Sequence, residues 1–256
     1  VESVLRAIRL LGCFHPGDQS LPLSEFVRRA GYPKTTTHRL LETLEEAGWL
    51  ERDEASAFRL TFRLFEIGSI LVEDLDVRRE SLPAMRVLSE QCGLSVQLVV
   101  PSGPRAVCIE RVDGGQAVRV LDLEVGASQP LHQAGAARAL LAHDEAVLLP
   151  ELLHGGLANE ISSTVPSAER LIAELADTRH RGYSISEPAT TSGLAAIGVP
   201  VFNRSGRAIA GLSISGPRGQ VVLPQTELIA KLRLAATEIS GRLGWQRNRH
   251  EHDGAA

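Results

Sequence analysis

The 256-residue chain is poor in several residue types that mark particular classes of protein. It holds three cysteines, Cys13, Cys92 and Cys108, and no CxxC pair. So sparse and odd a count argues against a disulfide framework and against a cysteine-rich zinc site. The thiols read as small core residues in a reducing compartment. Aromatic residues are 4% of the chain, and Trp49 and Phe58 read as packing residues rather than stacking platforms. No apolar run reaches the ~18–20 residues of a membrane span. Val1-Glu2-Ser3 is not a basic patch followed by an apolar stretch, so the expectation is a cytoplasmic protein. Charge of one sign is also lacking in bulk, with a net charge of −4.

Motifs for chemistry are missing as well. There is no G-x-x-x-x-G-K-[ST] phosphate cradle and no G-x-G-x-x-G after a strand. The string Gly211-Leu-Ser213-Ile-Ser215 lacks the second glycine of a nucleophile elbow. His132, His143 and His154 are too dispersed for a metal site, and no H-E-x-x-H pair occurs. The sequence therefore predicts no catalytic residue, no metal and no cofactor.

What is present is a globular composition, 43% apolar and 23% charged, with a clear change of pattern along the chain. Residues 2–14 carry Val4, Leu5, Ile8 and Leu11 at helical spacing. A loop at 15–20 precedes a short helix, Leu23–Ala30, stopped by Gly31. Pro33 suits the first turn of a third helix over 34–47, whose apolar stripe is Thr37, Leu40, Leu41, Leu44 and Ala47. Trp49–Arg52 and Ala57–Leu60 read as a hairpin around the polar turn 53–56. Helix, helix, glycine turn, helix and hairpin is the order of a winged helix-turn-helix. A linker helix is expected over 63–78, and a helix beginning at Ser81-Leu82-Pro83 leads to Gly93. Strands then predominate: Leu94–Val100, Ala106–Val112, Ala117–Leu123, Tyr183–Ser186, Leu194–Phe202 and Ala208–Ser215. Helices are predicted at 135–142, 167–181 and 228–243. The pattern is α+β without strict βαβ alternation. The predicted domains are 1–62, the linker 63–78, a second domain 79–246 and a polar tail 247–256.

The third helix is polarised in charge. Lys34, Thr35, Thr36, Thr37, His38 and Arg39 occupy its first turns, Thr37 also falling on the apolar stripe. Glu42, Glu45 and Glu46 sit in its C-terminal half. Helix N-termini favour anions, hydroxyls can bond phosphates or base edges, and arginine can fork onto guanine. Arg52 and Arg59 would flank the hairpin tip for backbone contacts, and Arg6 and Arg9 could add more. The same pattern would also suit a small interaction module with a solvated Arg/Thr face. Salt-sensitive DNA binding separates the two.

The strings KTTTHRLLETLEEAGWLERD, FRLTFRLFEIG and LPAMRVLSEQCGLSVQLVV resemble the winged-helix region and following segment of the IclR family of transcriptional regulators. VGASQPLHQAGAARALLA, RGYSISEPATTSGLAAIGVPVF and GLSISGP resemble that family's effector-domain signatures. The resemblance spans about residues 2–244. It implies a DNA-binding N-terminal domain that dimerises on pseudo-palindromic operators. It also implies a GAF-like C-terminal domain, an antiparallel sheet with flanking helices, that binds a small organic acid or aromatic effector. Assembly as a dimer or dimer of dimers, and action as a repressor, follow from the same resemblance. Carried over by motif, the effector site is Leu121, Gly135, Ala136, Ser186, Leu194, Ala196, Ser213 and Ser215. Several family members have Cys at the position of Ala196 and an acid at the position of Ser186. The smaller, uncharged residues here favour a bulkier or aromatic effector. The alternative is a small-molecule enzyme that uses its winged helix only to dimerise.

Overall fold

The computed structural model describes residues 2–15, 17–73, 76–115, 124–154, 168–186, 193–223 and 225–246. The chain forms two compact units, Val1–Leu75 and Asp76–Ala256. The predicted strand 117–123 and the tail 247–256 lie outside the described residues.

The first unit contains α1 (Glu2–Leu11), α2 (Leu23–Ala30), α3 (Lys34–Glu46), β1 (Leu50–Arg52), β2 (Phe58–Leu60) and α4 (Phe62–Glu73). Gly31 ends α2 in the left-handed conformation, φ 71°, and donates its N–H to Val27 O. A side chain there would be strained, which is why glycine makes this turn. β1 and β2 pair antiparallel, Arg52 opposite Phe58. Asp53 Oδ1 accepts from Ala55 N at 3.0 Å and Ala57 N at 2.8 Å, closing the hairpin turn. Leu10, Leu21, Phe26, Leu41, Leu44, Leu50 and Phe58 form the core. Phe26 meets Phe14 and Phe58 edge-on, with ring centroids 5.5 and 6.0 Å apart, a favoured aromatic geometry.

Three expectations change here. Val4, Leu5 and Ile8 of α1 are exposed by 55, 54 and 58%, while Leu10 is fully buried. Ala47 is exposed at the C-terminal cap of α3 rather than buried in its stripe. The linker expected over 63–78 is not one helix: residues 76–78 belong to the first turn of α5 (Asp76–Cys92). That helix also carries the predicted start, Pro83, in its interior. A mid-helix proline forfeits one backbone hydrogen bond. Burial of Val77, Ala84, Met85 and Leu88 on one face overrides that cost.

The second unit continues with β3 (Ser95–Ser102), β4 (Arg105–Val112), β5 (Ser128–Pro130), α6 (Gly135–His143), α7 (Glu145–His154), α8 (Ala168–Arg181), β6 (Ser184–Ser186), β7 (Leu194–Phe202), β8 (Ala208–Pro217), α9 (Arg218–Val222) and α10 (Gln225–Arg242). Among the described residues six strands form one sheet in the order β5-β4-β3-β8-β7-β6, and each of these pairings is antiparallel. α6 lies on one face, and α5 reaches the other through an Arg78–Glu110 ion pair of 2.9 Å. Under α6 the core joins Val99, Ala106 and Cys108 to Ala136, Leu140, Leu141, Leu171 and Leu175. Burial pushes the Cys108 thiol up to about 11, so this cysteine is a core residue as its isolation in the sequence suggests.

Candidate DNA interface and effector site

Pro33 opens α3 with no side-chain cap. The first amide N–H groups of that helix are therefore left without a side-chain acceptor, the arrangement that attracts anions. Lys34, Thr35 and Arg39 are exposed and Thr36 and His38 half-buried. Among the described residues neither Lys34 nor Arg39 makes an ion pair. Thr37 is a correction to the DNA-facing set. It is completely buried, and its hydroxyl donates to Pro33 O at 3.1 Å. Its place on the apolar stripe prevails because Leu41 and Leu44, four and seven residues on, share its face.

The other candidate groups are already engaged. His38 Nδ1 lies 3.2 Å from Glu42. Arg52 donates to Glu45 at 3.0 Å and covers the Phe58 ring at 4.4 Å. Arg59 pairs with Glu51 at 2.8 Å. Arg6 pairs with Glu2, and Arg9 donates to the Tyr32 hydroxyl. Among the described residues, Lys34 and Arg39 thus leave the first turns of α3 with cations that no carboxylate holds, while the wing arginines are held beside carboxylates.

In the second unit, strand register decides which side chains meet. Directly paired residues of antiparallel strands point to the same face. Arg111, Gln97, Ser213, Gly198 and Ser184 therefore form one row across β4, β3, β8, β7 and β6. Ser95, Ser215, Ala196 and Ser186 form the next row. Leu194 extends the same face of β7. This is the face covered by α6. A Cβ on Gly198 would meet Gly135 and Ala136 backbone at 2.2–2.4 Å, and one on Gly211 would meet Ala136 O at 2.3 Å. Helix and sheet can approach so closely only because both strand residues are glycine.

The first turn of α6 is tied to the polar rows. Gly135 N donates to Ser186 Oγ at 3.1 Å, and Ser184 Oγ donates to Gly135 O. Ala134 at the N-cap offers no side-chain acceptor. Gln97, Ser213, Ser215, Ser186 and Ser184 are all buried. Five hydroxyl or amide side chains on a buried face beside a helix N-terminus can hold a polar ligand in a fixed orientation. The fold brings together Gly135, Ala136, Ser186, Leu194, Ala196, Ser213 and Ser215, and Leu121 lies outside the described residues. Ser95, Gln97, Arg111 and Ser184 were not among the sequence candidates. Gln97 had a signal, a lone amide inside the apolar run Val96–Val100. Among the described residues no group of three His, Cys, Asp or Glu can hold a metal.

Residues 70–241 match the family described as bacterial transcriptional regulator IclR C-terminal, and residues 3–54 match the IclR helix-turn-helix domain. The chain belongs to the IclR family. It is a transcriptional regulator with a helix-turn-helix DNA-binding domain. It is 33% identical over 254 residues to the HTH-type transcriptional regulator KipR of Bacillus subtilis, covering 95% of this chain and 98% of that one. It is 30% identical over 252 residues to the transcriptional repressor IclR of Escherichia coli, covering 96% and 92%. An IclR-family regulator from Brucella abortus shares the fold, with a TM-score of 0.76 at 24% identity over 94% of this chain and 92% of that one. An IclR homologue from Microbacterium hydrocarbonoxydans, solved with 4-hydroxybenzoate, matches with a TM-score of 0.75 at 28% identity, covering 94% and 98%.

Proposed function

We propose that this IclR-family chain is an effector-controlled repressor rather than an enzyme. It would be a homodimer that places two α3 helices in successive major grooves of a pseudo-palindromic operator. The observation that carries the DNA reading is the uncapped α3 N-terminus with exposed Lys34, Thr35 and Arg39. Thr36 and His38 lie on the same turns. Arg52 and Arg59 would approach phosphates with Glu45 and Glu51 still beside them, contributing less than free cations. No described helix is long and apolar enough to cross a membrane, and a DNA-bound role would put the protein in the cytoplasm.

Two apolar faces of the first unit support the dimer. Val4, Leu5 and Ile8 on α1, and Phe62, Phe65 and Ile67 on α4, are all more than half exposed. Contiguous exposed apolar side chains of this kind mark interaction surfaces. A second copy would cover them and set the spacing of the recognition helices near the ~34–36 Å of one DNA turn. The first unit with α4 acts as the DNA-binding and linking part, and the second unit, to residue 246, as the effector domain. Its polar rows beneath α6 form the effector site, with Gly135, Ala136, Ser186, Leu194, Ala196, Ser213 and Ser215 as lining and Leu121 assigned to it by motif. The Microbacterium homologue's aromatic acid supports an effector of that size, and the small, uncharged side chains of Ala196 and Ser186 suit a ring better than larger or acidic ones would. Effector binding to one conformation of the second unit would shift the spacing of the DNA-reading helices.

The test is salt-titrated binding to the DNA upstream of the gene, with Arg39→Ala and Ile8→Glu variants. Arg39→Ala should weaken operator binding by about 1–3 kcal/mol and relax sequence preference. Ile8→Glu should shift the sedimenting species from dimer to monomer. Unchanged affinity in Arg39→Ala would remove α3 as the reading helix, and an intact dimer in Ile8→Glu would remove the α1 surface.

A further inference from the structure

Arg111 sits on the effector face only because β4 is irregular. Val99 pairs with Cys108 while Leu98 pairs with Glu110, so Ile109 is an extra residue in β4. Strict alternation from Cys108, which faces α6, would send Glu110 toward the polar rows and Arg111 away. The bulge reverses both, and β-bulges commonly re-aim side chains beside functional sites. Glu110 turns to Arg78 of α5. Arg111 turns to the row of Gln97 and Ser213.

The Arg111 side chain is 5% exposed. Its Nε donates to Asp113 at 2.6 Å, and its Nη1 lies 3.5 Å from Glu124. Both carboxylates are about half exposed. Among the described residues Nη1 is nonetheless buried with no acceptor in hydrogen-bond geometry. A buried guanidinium N–H with no acceptor is costly, and an incoming anion relieves that cost. The N-terminus of α6, whose first N–H is met by Ser186 Oγ and whose N-cap Ala134 supplies no acceptor for the next, lies over Gly198 of β7. β4 and β7 are three strand spacings apart, about 14 Å. The site therefore has the α6 N-terminus at one end and, at the other, a buried guanidinium N–H whose nearest carboxylate, Glu124, lies 3.5 Å away, with serine and glutamine side chains between them.

Resting on the effector reading above, we propose that the effector is a dicarboxylate. One acid group would meet the α6 N-terminus beside Ser186, and the other would meet Arg111. The body would lie over Gln97, Ser213, Ser215 and Ala196. A ring or short chain between the acid groups fits this separation. Arg111 is thus the residue that distinguishes a two-ended acid from a one-ended one.

Terephthalate, benzoate and 4-carboxybenzamide share one ring and differ only at the second end. Calorimetric titration of the full-length protein at fixed salt should show terephthalate binding roughly tenfold or more tightly than the other two. In Arg111→Gln that preference should vanish while benzoate affinity is kept. Arg111→Lys, which keeps the charge but not the fork, should recover part of it. Benzoate binding as tightly as terephthalate, or an undiminished preference in Arg111→Gln, overturns the two-ended site and leaves the effector reading standing. No binding by any of the three to the wild-type chain overturns the acid-effector reading itself. The comparison of ligands on the wild-type chain holds whatever the stability of the variants.

Discussion

Replacing Gly198 with alanine tests how the effector site is built. The new methyl carbon would lie 2.2 Å from Gly135 C, 2.3 Å from Ala136 N and 2.4 Å from Gly135 O. Ordinary contact begins near 3.4 Å, so the first turn of α6 must lift from the sheet by about 1 Å. All three opposing atoms are backbone, and no rotamer change relieves them. Overpacking of this kind costs about 1–3 kcal/mol. Alanine recovers about 0.4–1 kcal/mol by restricting the unfolded chain. The expected net loss is about 1–2 kcal/mol, or roughly 2–8 °C in Tm for a unit of this size. Gly241 supplies the opposite sign, because it lies inside α10 and a Cβ added there would meet nothing within 4 Å. Gly241→Ala should stabilise by about 0.5–1 kcal/mol through helix propensity. Scanning calorimetry should show the transition of the second unit falling in one variant and rising in the other. A Gly198→Ala protein that melts at or above the wild-type temperature would refute the close approach of α6 to β7.

Two other substitutions probe polar groups elsewhere. Glu25 accepts from Arg28 and Arg29, and these hydrogen bonds, Arg28's first, hold its carboxyl down at about 2. A depressed carboxylate adds stability above the ordinary unfolded value, near 4.3, and that stability is lost as pH falls toward about 2. Carbon-detected NMR titration should place Glu25 well below the other exposed glutamates, and Arg28→Gln should return it toward them; a normal midpoint in the wild type contradicts the pairing. Ser81 is fully buried in α5, and among the described residues its hydroxyl has no hydrogen-bond partner. Ser81→Ala removes an unmet desolvation cost and improves helix propensity, so it should stabilise by about 1 kcal/mol in urea denaturation. A loss of stability would mean that the hydroxyl is satisfied.

Local pattern alone determined most of the winged helix and most of the strands. The apolar spacing of Leu41 and Leu44, the glycine at 31 and the polar turn at 53–56 are short-range signals, and the structure places α3 and the hairpin accordingly. The motif Gln133–Leu141 likewise located α6 and its small-residue N-terminus. The start of α5 was not legible, because Pro83 mimics a helix opening and only burial of Val77 and its neighbours carries the helix past it. The exposure of Val4, Leu5 and Ile8 was also hidden, since periodicity reports an apolar face but not what covers it. Arg111 is the sharpest case. A period of two assigns every residue of a strand to a face, and one inserted residue exchanges the faces for all that follow. The bulge at Ile109 has no sequence signature of its own, because it arises from pairing β4 with β3. The sequence determined which side chains are available, and the register between distant strands decided which of them share the ligand's face.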